Sequence, residues 1–235
     1  MQQKWLFFDI GETLISEHKR VRIRNDQTFA LLKERRPGLT AAEFNVAYRS
    51  VLKDLRYGDR AKITQIAQKI LGKGAGGIWE EYVSRFLEDT EMDESRNPNR
   101  YFELFPETHR VLEHLQSRYQ LGVIANQKIW ARERVVKHFG LDRYFRVMAL
   151  SDEIGLSKPD LGIFHYALDA AKAQPSDAWM VGDRIDNDIL PANALGMGTV
   201  RISHAITEDA VIKPKAPAEV AKMEITDLSE MLKAF

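Results

Sequence analysis

The feature that most constrains this chain is a set of short apolar runs, each stopping at a polar residue. Trp5–Phe8 (WLFF) stops at Asp9, Gln120–Ala125 (QLGVIA) stops at Asn126, and 178–181 (AWMV) stops at Gly182 and Asp183. Continuous apolar runs of this length suit strands covered on both faces, as in the middle of a parallel sheet. Val147–Leu150 and Gly198–Ile202 have the same character. Between these runs, residues 107–118, 130–139, 160–173 and 187–195 carry helical patterns, and a short helix is expected over 227–232. Strands that alternate with helices imply parallel pairing through right-handed crossovers. Residues 1–16 and 101–235 are therefore expected to form an α/β core, a doubly wound parallel sheet of Rossmann-like type.

Residues 17–100 differ in kind. Stretches 24–35, 41–56, 60–71 and 78–87 look helical, with breaks at Pro37-Gly38, Gly58 and 72–77. In the second stretch Phe44, Ala47, Tyr48, Val51, Leu52 and Leu55 recur at helical spacing and mark one buried face. Without a strong strand signal, this region is expected to be a small all-helical domain. The glycine-rich 72–77 is expected to be a flexible linker. The polar 89–100 is expected to be a hinge back to the core.

Composition narrows the function. Lysine plus arginine equal aspartate plus glutamate at 34 each, so no global positive field exists to draw nucleic acid or anionic membrane. No cysteine is present, which excludes disulfides, thiolate nucleophiles and cysteine-ligated metals. The apolar run near the start is too short for a signal-peptide core, and no segment approaches the roughly 20 apolar residues of a spanning helix. A cytoplasmic protein without membrane or nucleic-acid partners is expected. The histidines show no metal-ligand spacing, and KGAGG lacks the order of a phosphate-binding loop.

Ligands of open parallel sheets sit beyond the carboxyl ends of the strands. That rule brings Asp9, Asn126 and Asp183 to one rim, with Lys158 nearby in the loop SKPD. Each residue also has a plain structural explanation. Asp9 and Thr13 can hold a turn, Asp188 can cap a helix, Asn126 can satisfy loop backbone, and Lys158 can be a surface lysine.

Taken in order, these segments resemble the signatures of the haloacid dehalogenase-like hydrolase superfamily. WLFFDIGETL resembles a first motif of apolar strand followed by D-x-D-x-T. LGVIAN resembles a second motif ending in Ser or Thr, often with Asn next. GLSKPD resembles the lysine motif, and WMVGDRIDND resembles an apolar strand followed by GD and a second acid. The likeness runs from residue 4 to about 205, and the helical insert 17–100 resembles that superfamily's cap. The resemblance implies a phosphatase acting on a small phosphorylated metabolite, with Mg²⁺ as cofactor, as a monomer or homodimer. Asp9 would be the nucleophile and a metal ligand. Asp183 and the Gly11 carbonyl would also bind metal, and Asp188 would support the metal's waters or Lys158. Lys158 would neutralise charge, while Thr13 and Asn126 would position phosphate.

Two departures from the family pattern stand out. Phosphatase members carry a second aspartate two residues after the nucleophile; here the residue is Gly11, which has no side chain to move a proton. Such proton transfer contributes about 10²–10⁴-fold. Ala125 stands where the family has a hydroxyl donor, whose loss costs on the order of 10²-fold. Glu12 follows Gly11 but is expected to point in another direction. The alternative reading is therefore a binding protein that keeps the metal site but turns over little. A phosphonate-cleaving relative would need a cap lysine, and none of Lys33, Lys53, Lys62, Lys69 and Lys73 stands out. A halide-cleaving relative would not need the acids of GDRIDND.

Overall fold

The apolar runs form the strands expected of them. In the computed structural model, which describes residues 4–54, 59–204 and 212–235, six strands make one sheet in the order β5-β4-β1-β6-β7-β8. They are β1 (Trp5–Phe8), β4 (Gln120–Ala125), β5 (Val147–Leu150), β6 (Ala178–Gly182), β7 (Gly198–Ile202) and β8 (Met223–Ile225). Every pairing is parallel, with Phe8 opposite Val123 on one side and Val181 on the other. All four residues of β1 are buried, which is why no polar residue interrupts them. The parallel sheet with its crossover helices is the α/β fold expected from the alternation of elements. The edge strand β8 was not foreseen, because MEI is too short and too mixed to carry a pattern.

The chain divides into two compact units, 1–17 with 102–235, and 18–101. In the first unit, α9 (Leu161–Ala171) lays Ile163, Phe164, Ala167 and Leu168 against Phe7, Ile124, Ala149 and Met180 of the sheet. Asp160 caps this helix by accepting from the Gly162 N–H at 2.7 Å. A two-stranded antiparallel ribbon, β2 (Ile15–Ser16) with β3 (Glu103–Leu104), joins the segments that flank the helical insert.

The second unit holds α1 (His18–Arg35), α2 (Ala41–Asp54), α3 (Asp59–Leu71), α4 (Ile78–Tyr82), α5 (Glu88–Arg96) and α6 (Pro98–Tyr101). It has its own core, with Leu31, Leu32, Phe44, Val51, Ile63, Ile66, Ala67, Ile78 and Tyr82 buried together. The expected apolar face of α2 enters this core; Leu55 lies outside the described residues. Two expectations are corrected. Residues 72–77 are not a slack linker, because Gly72–Ala75 forms a tight helical turn whose Ala75 joins the core. Residues 89–100 are not an open hinge, because α5 and α6 are helical through this stretch. Charge pairing holds them: Arg20 Nε donates to Glu94 at 2.7 Å, and Asp93 accepts from the Tyr101 hydroxyl at 2.6 Å. No helix among the described residues is long and apolar enough to cross a membrane.

The sheet tolerates little added bulk at Gly198. A Cβ there would lie 2.1 Å from Cδ2 of Trp179, on the neighbouring strand β6. Gly198→Ala is expected to destabilise the protein by about 1–3 kcal/mol in urea unfolding, the usual cost of overpacking a core. An unchanged midpoint would show that Trp179 moves aside freely.

Candidate active site

Strand β1 delivers Asp9 to the rim. Its N–H still donates to the Val181 carbonyl at 2.9 Å, so the backbone follows the sheet as far as the carboxylate. The chain then closes a tight loop. The Ile10 carbonyl accepts from Leu14 at 2.9 Å and from Ile15 at 3.0 Å, and Glu12 takes a positive φ of 53°. Ile10 and Leu14 are buried, which anchors the loop against the core. Thr13 is buried as well, and its hydroxyl has no hydrogen-bond partner among the described residues. His204, stacked on Phe105 with ring centroids 3.8 Å apart, hydrogen-bonds the Thr13 backbone. Burial holds the His204 imidazole below its usual pKa, against the hydrogen bond to Thr13.

The Lys158 ammonium sits between two acids. Nζ is 2.7 Å from Asp9 Oδ1 and 2.6 Å from Asp188 Oδ1. The other oxygen of Asp188 accepts from the Arg184 N–H at 3.0 Å. Asp188 reaches this position from a wide turn, Ile185–Ile189, that precedes α10 (Leu190–Ala194). Both Asp188 and Ile189 donate backbone N–H groups to the Arg184 carbonyl, at 2.9 and 3.3 Å, so the first turn is wider than an α-turn. The regular helix expected over 187–195 is corrected accordingly, as is that over 130–139, where Arg132–Val136 forms a similar wide turn. Gly182 makes room for Asp188, since a Cβ at Gly182 would lie 2.4 Å from the Asp188 Cγ.

Asp183 follows β6 directly and is buried. Carboxylate oxygens of Asp9, Asp183 and Asp188 lie within 4.8 Å of one another. Three carboxylates against one ammonium leave the cluster with an excess of negative charge. Burial pushes the Asp188 carboxyl up to about 6, with the charge of Asp9 adding to the rise and Lys158 opposing it. Burial works against the charge on Lys158, but the two carboxylates outweigh it and raise its pKa above the usual value. A divalent cation would supply the missing positive charge. The donors are all carboxylate oxygens, without nitrogen or sulfur, which suits Mg²⁺ rather than zinc.

Several neighbouring side chains are engaged within the protein itself. Both ends of the Asn126 amide are engaged by Lys158: Nδ2 donates to the Lys158 carbonyl at 2.9 Å, and Oδ1 accepts from its N–H at 2.8 Å. Its side chain thus fixes the loop that carries the lysine. Arg184 makes a two-point pair with Asp186, at 3.0 and 2.6 Å, and Arg132 pairs with Glu153 at 2.6 Å. Ala125 ends β4 fully buried opposite Leu150, and its methyl group offers no donor.

Arg201 was not foreseen. It is buried on β7, where Nε donates to the Asp183 carbonyl at 3.2 Å and NH2 donates to the Ile212 carbonyl at 2.9 Å. Its signal in the sequence was an arginine inside the otherwise apolar run GTVRI, since a buried charge needs specific partners.

Comparison with known proteins gives the family of the chain. A family model described as haloacid dehalogenase-like hydrolase matches residues 56–202, more than half of the chain. A glyceraldehyde 3-phosphate phosphatase from Methanothermobacter thermautotrophicus is 36% identical over 44% of this chain and 46% of its own length. The chain spans about half the length of the first curated relatives it matches. A second protein of that name, from Pyrococcus furiosus, is 25% identical over 97% of this chain and 92% of its own. Among solved structures, the hydrolase YfnB from Bacillus subtilis, bound to magnesium, superposes with a TM-score of 0.66 at 18% identity. That match covers 100% of this chain and 99% of YfnB, and it speaks for the fold.

Replacing Arg201 tests how the Asp183 loop is held. Arg201→Met leaves two carbonyls without their donors, and the expected loss in urea unfolding is about 2–4 kcal/mol. A loss under about 0.5 kcal/mol would mean that the loop holds itself.

Proposed function

The chain belongs to the haloacid dehalogenase-like hydrolase family, and from that premise we propose that it is a Mg²⁺-dependent phosphatase of a small phosphorylated metabolite, working through an aspartyl phosphate on Asp9. The observation that carries this reading is the Lys158 ammonium bound to Asp9 and Asp188 beside Asp183. Exposure separates the two paired acids. The Asp9 side chain is 13% exposed and that of Asp188 is 0% exposed, so Asp9 is the one that can meet a substrate.

In this reading Asp9 attacks phosphorus while Lys158 holds its carboxylate in place and neutralises charge as the phosphoryl group arrives. Asp188 and Asn126 act through Lys158, one holding the ammonium and the other the backbone. Asp9, Asp183 and the Gly11 carbonyl would hold Mg²⁺, with Asp188 behind them. When bound, the ion supplies positive charge to the phosphoryl oxygens. The buried hydroxyl of Thr13 supports a role for its loop at the phosphate.

A small phosphorylated metabolite is favoured because relatives across the chain are named as phosphatases of such compounds, including a phosphoserine phosphatase from Thermus thermophilus. The balanced net charge gives no support to a nucleic-acid or membrane partner. We assign the helical unit the role of a substrate-selecting cap, the protein to the cytoplasm, and the assembly to a monomer or homodimer. The second reading, a metal and phosphate binder with little turnover, rests on Gly11 and Ala125.

Wild-type protein with Mg²⁺ is expected to hydrolyse phosphate monoesters, and Asp9→Asn is expected to lose at least ~10³ in kcat. Mg²⁺ at about 100 times its Kd is expected to raise Tm by about 5–10 °C, and Asp183→Asn to abolish that rise. Hydrolysis that persists in Asp9→Asn would sink the nucleophile assignment. A silent wild type that Mg²⁺ and beryllium fluoride still stabilise would favour the binder.

A further inference from the structure

The space two residues beyond Asp9 is not empty. A Cβ built on Gly11 would lie 2.6 Å from Oε1 of Glu17 and 3.2 Å from its Cδ. The Glu17 carboxylate therefore fills the volume in which a side chain at position 11 would begin. The backbone brings it there. After the tight loop, Ile15 returns to bridge Gly11, and β2 carries the chain on to Glu17. The Glu17 N–H is then tied to Oε1 of Glu12 at 2.7 Å. Glu12 thus uses one carboxylate oxygen to anchor Glu17, and its positive φ falls within the turn 12–14. Glu17 itself is half-buried.

We propose that Glu17 is the acid–base residue of this site, entering through the space that Gly11 leaves open. The inference rests on the phosphatase reading and adds the proton carrier that reading lacks. In the first half-reaction Asp9 forms a bond to phosphorus, the bond from phosphorus to the ester oxygen breaks, and the Glu17 carboxyl gives its proton to that oxygen, releasing an alcohol. In the second, the Glu17 carboxylate takes a proton from water, the water oxygen bonds to phosphorus, and the bond from phosphorus to Asp9 breaks. Phosphate leaves, Asp9 is restored and Glu17 is again protonated. On this account glycine at position 11 is a condition for the acid at position 17, because any Cβ there pushes the carboxylate away.

The test compares kcat/KM, which reports phosphoryl transfer to Asp9, for p-nitrophenyl phosphate and for glycerol phosphate, with Mg²⁺ present. The first substrate has a leaving group that needs little protonation; the second needs it fully. Glu17→Gln, nearly isosteric, is expected to lose about 10²–10⁴-fold on the glycerol ester and less than ~10-fold on the nitrophenyl ester. Its pH profile on the glycerol ester should lose the limb that reports a protonated acid. The double variant Gly11→Asp/Glu17→Ala, with a carboxylate moved to position 11 and the clash removed, should recover at least ~10-fold over Glu17→Ala. An unchanged rate in Glu17→Gln, or an equal loss on both esters with no rescue, overturns the assignment to Glu17 while leaving the phosphatase reading in place. A wild type that hydrolyses neither ester overturns the phosphatase reading, and this inference with it.

Discussion

The Lys158 ammonium, drawn out of water and shared by two carboxylates, is the constraint that the α/β unit is organised to meet. A buried charge is tolerable when it is paired and hydrogen-bonded, and very costly otherwise. Three separate pieces of chain must converge to satisfy it. Strand β1 brings Asp9, the loop ahead of α9 brings the lysine, and the wide turn after β6 brings Asp188. Small residues and secondary partners then follow as necessities. Gly182 makes way for Asp188, Asn126 fixes the lysine backbone, and Arg201 holds the Asp183 carbonyl from the strand beside it. Even after this convergence the cluster keeps more negative than positive charge, which gives a cation a reason to enter.

The helical unit meets a similar demand without a comparable catalytic set. Arg24 is buried with its guanidinium 2.6 Å from Asp59, and burial works against the Asp59 charge while Arg24 and then Arg20 hold its carboxyl below the usual range. Arg20 also reaches Glu94. These pairs connect α1 to α3 and α5, elements distant in sequence. Hydrophobic contacts alone allow neighbouring helices to slide, whereas a buried ion pair specifies one register at some expense in stability.

The parts of the fold legible in the sequence were those that depend on local pattern. Unbroken apolar runs marked the central strands, and polar residues at their ends marked the rim, so Asp9, Asp183 and Lys158 were recognisable before their distances were known. Asp188 was recognisable as an acid near the site, but its double engagement with Lys158 and Arg184 was not, because that depends on a turn wider than an α-helix. The tie between Asn126 and the Lys158 backbone was not legible, because an amide at a strand end serves a ligand or a loop equally well in sequence. Arg201 and Glu17 lay outside the motifs altogether. Their roles arise from strand adjacency and from a chain reversal, and neither leaves a periodic trace. The misread stretches 72–77 and 89–100 show the same limit: glycine and charge suggested slack, while a core contact and ion pairs imposed order.

The occupation of position 11's side-chain volume by Glu17 also has a consequence for descent. Two positions that compete for one volume cannot drift independently. A lineage with glycine at 11 can keep a carboxylate at 17, and one with a side chain at 11 must have that carboxylate elsewhere. Passage between the two states by single replacements crosses an intermediate that holds both groups, with the Glu17 carboxylate turned aside, or neither. Such pairs are inherited as a bias: a chain that has settled on one arrangement keeps its carboxylate in place only while position 11 stays open.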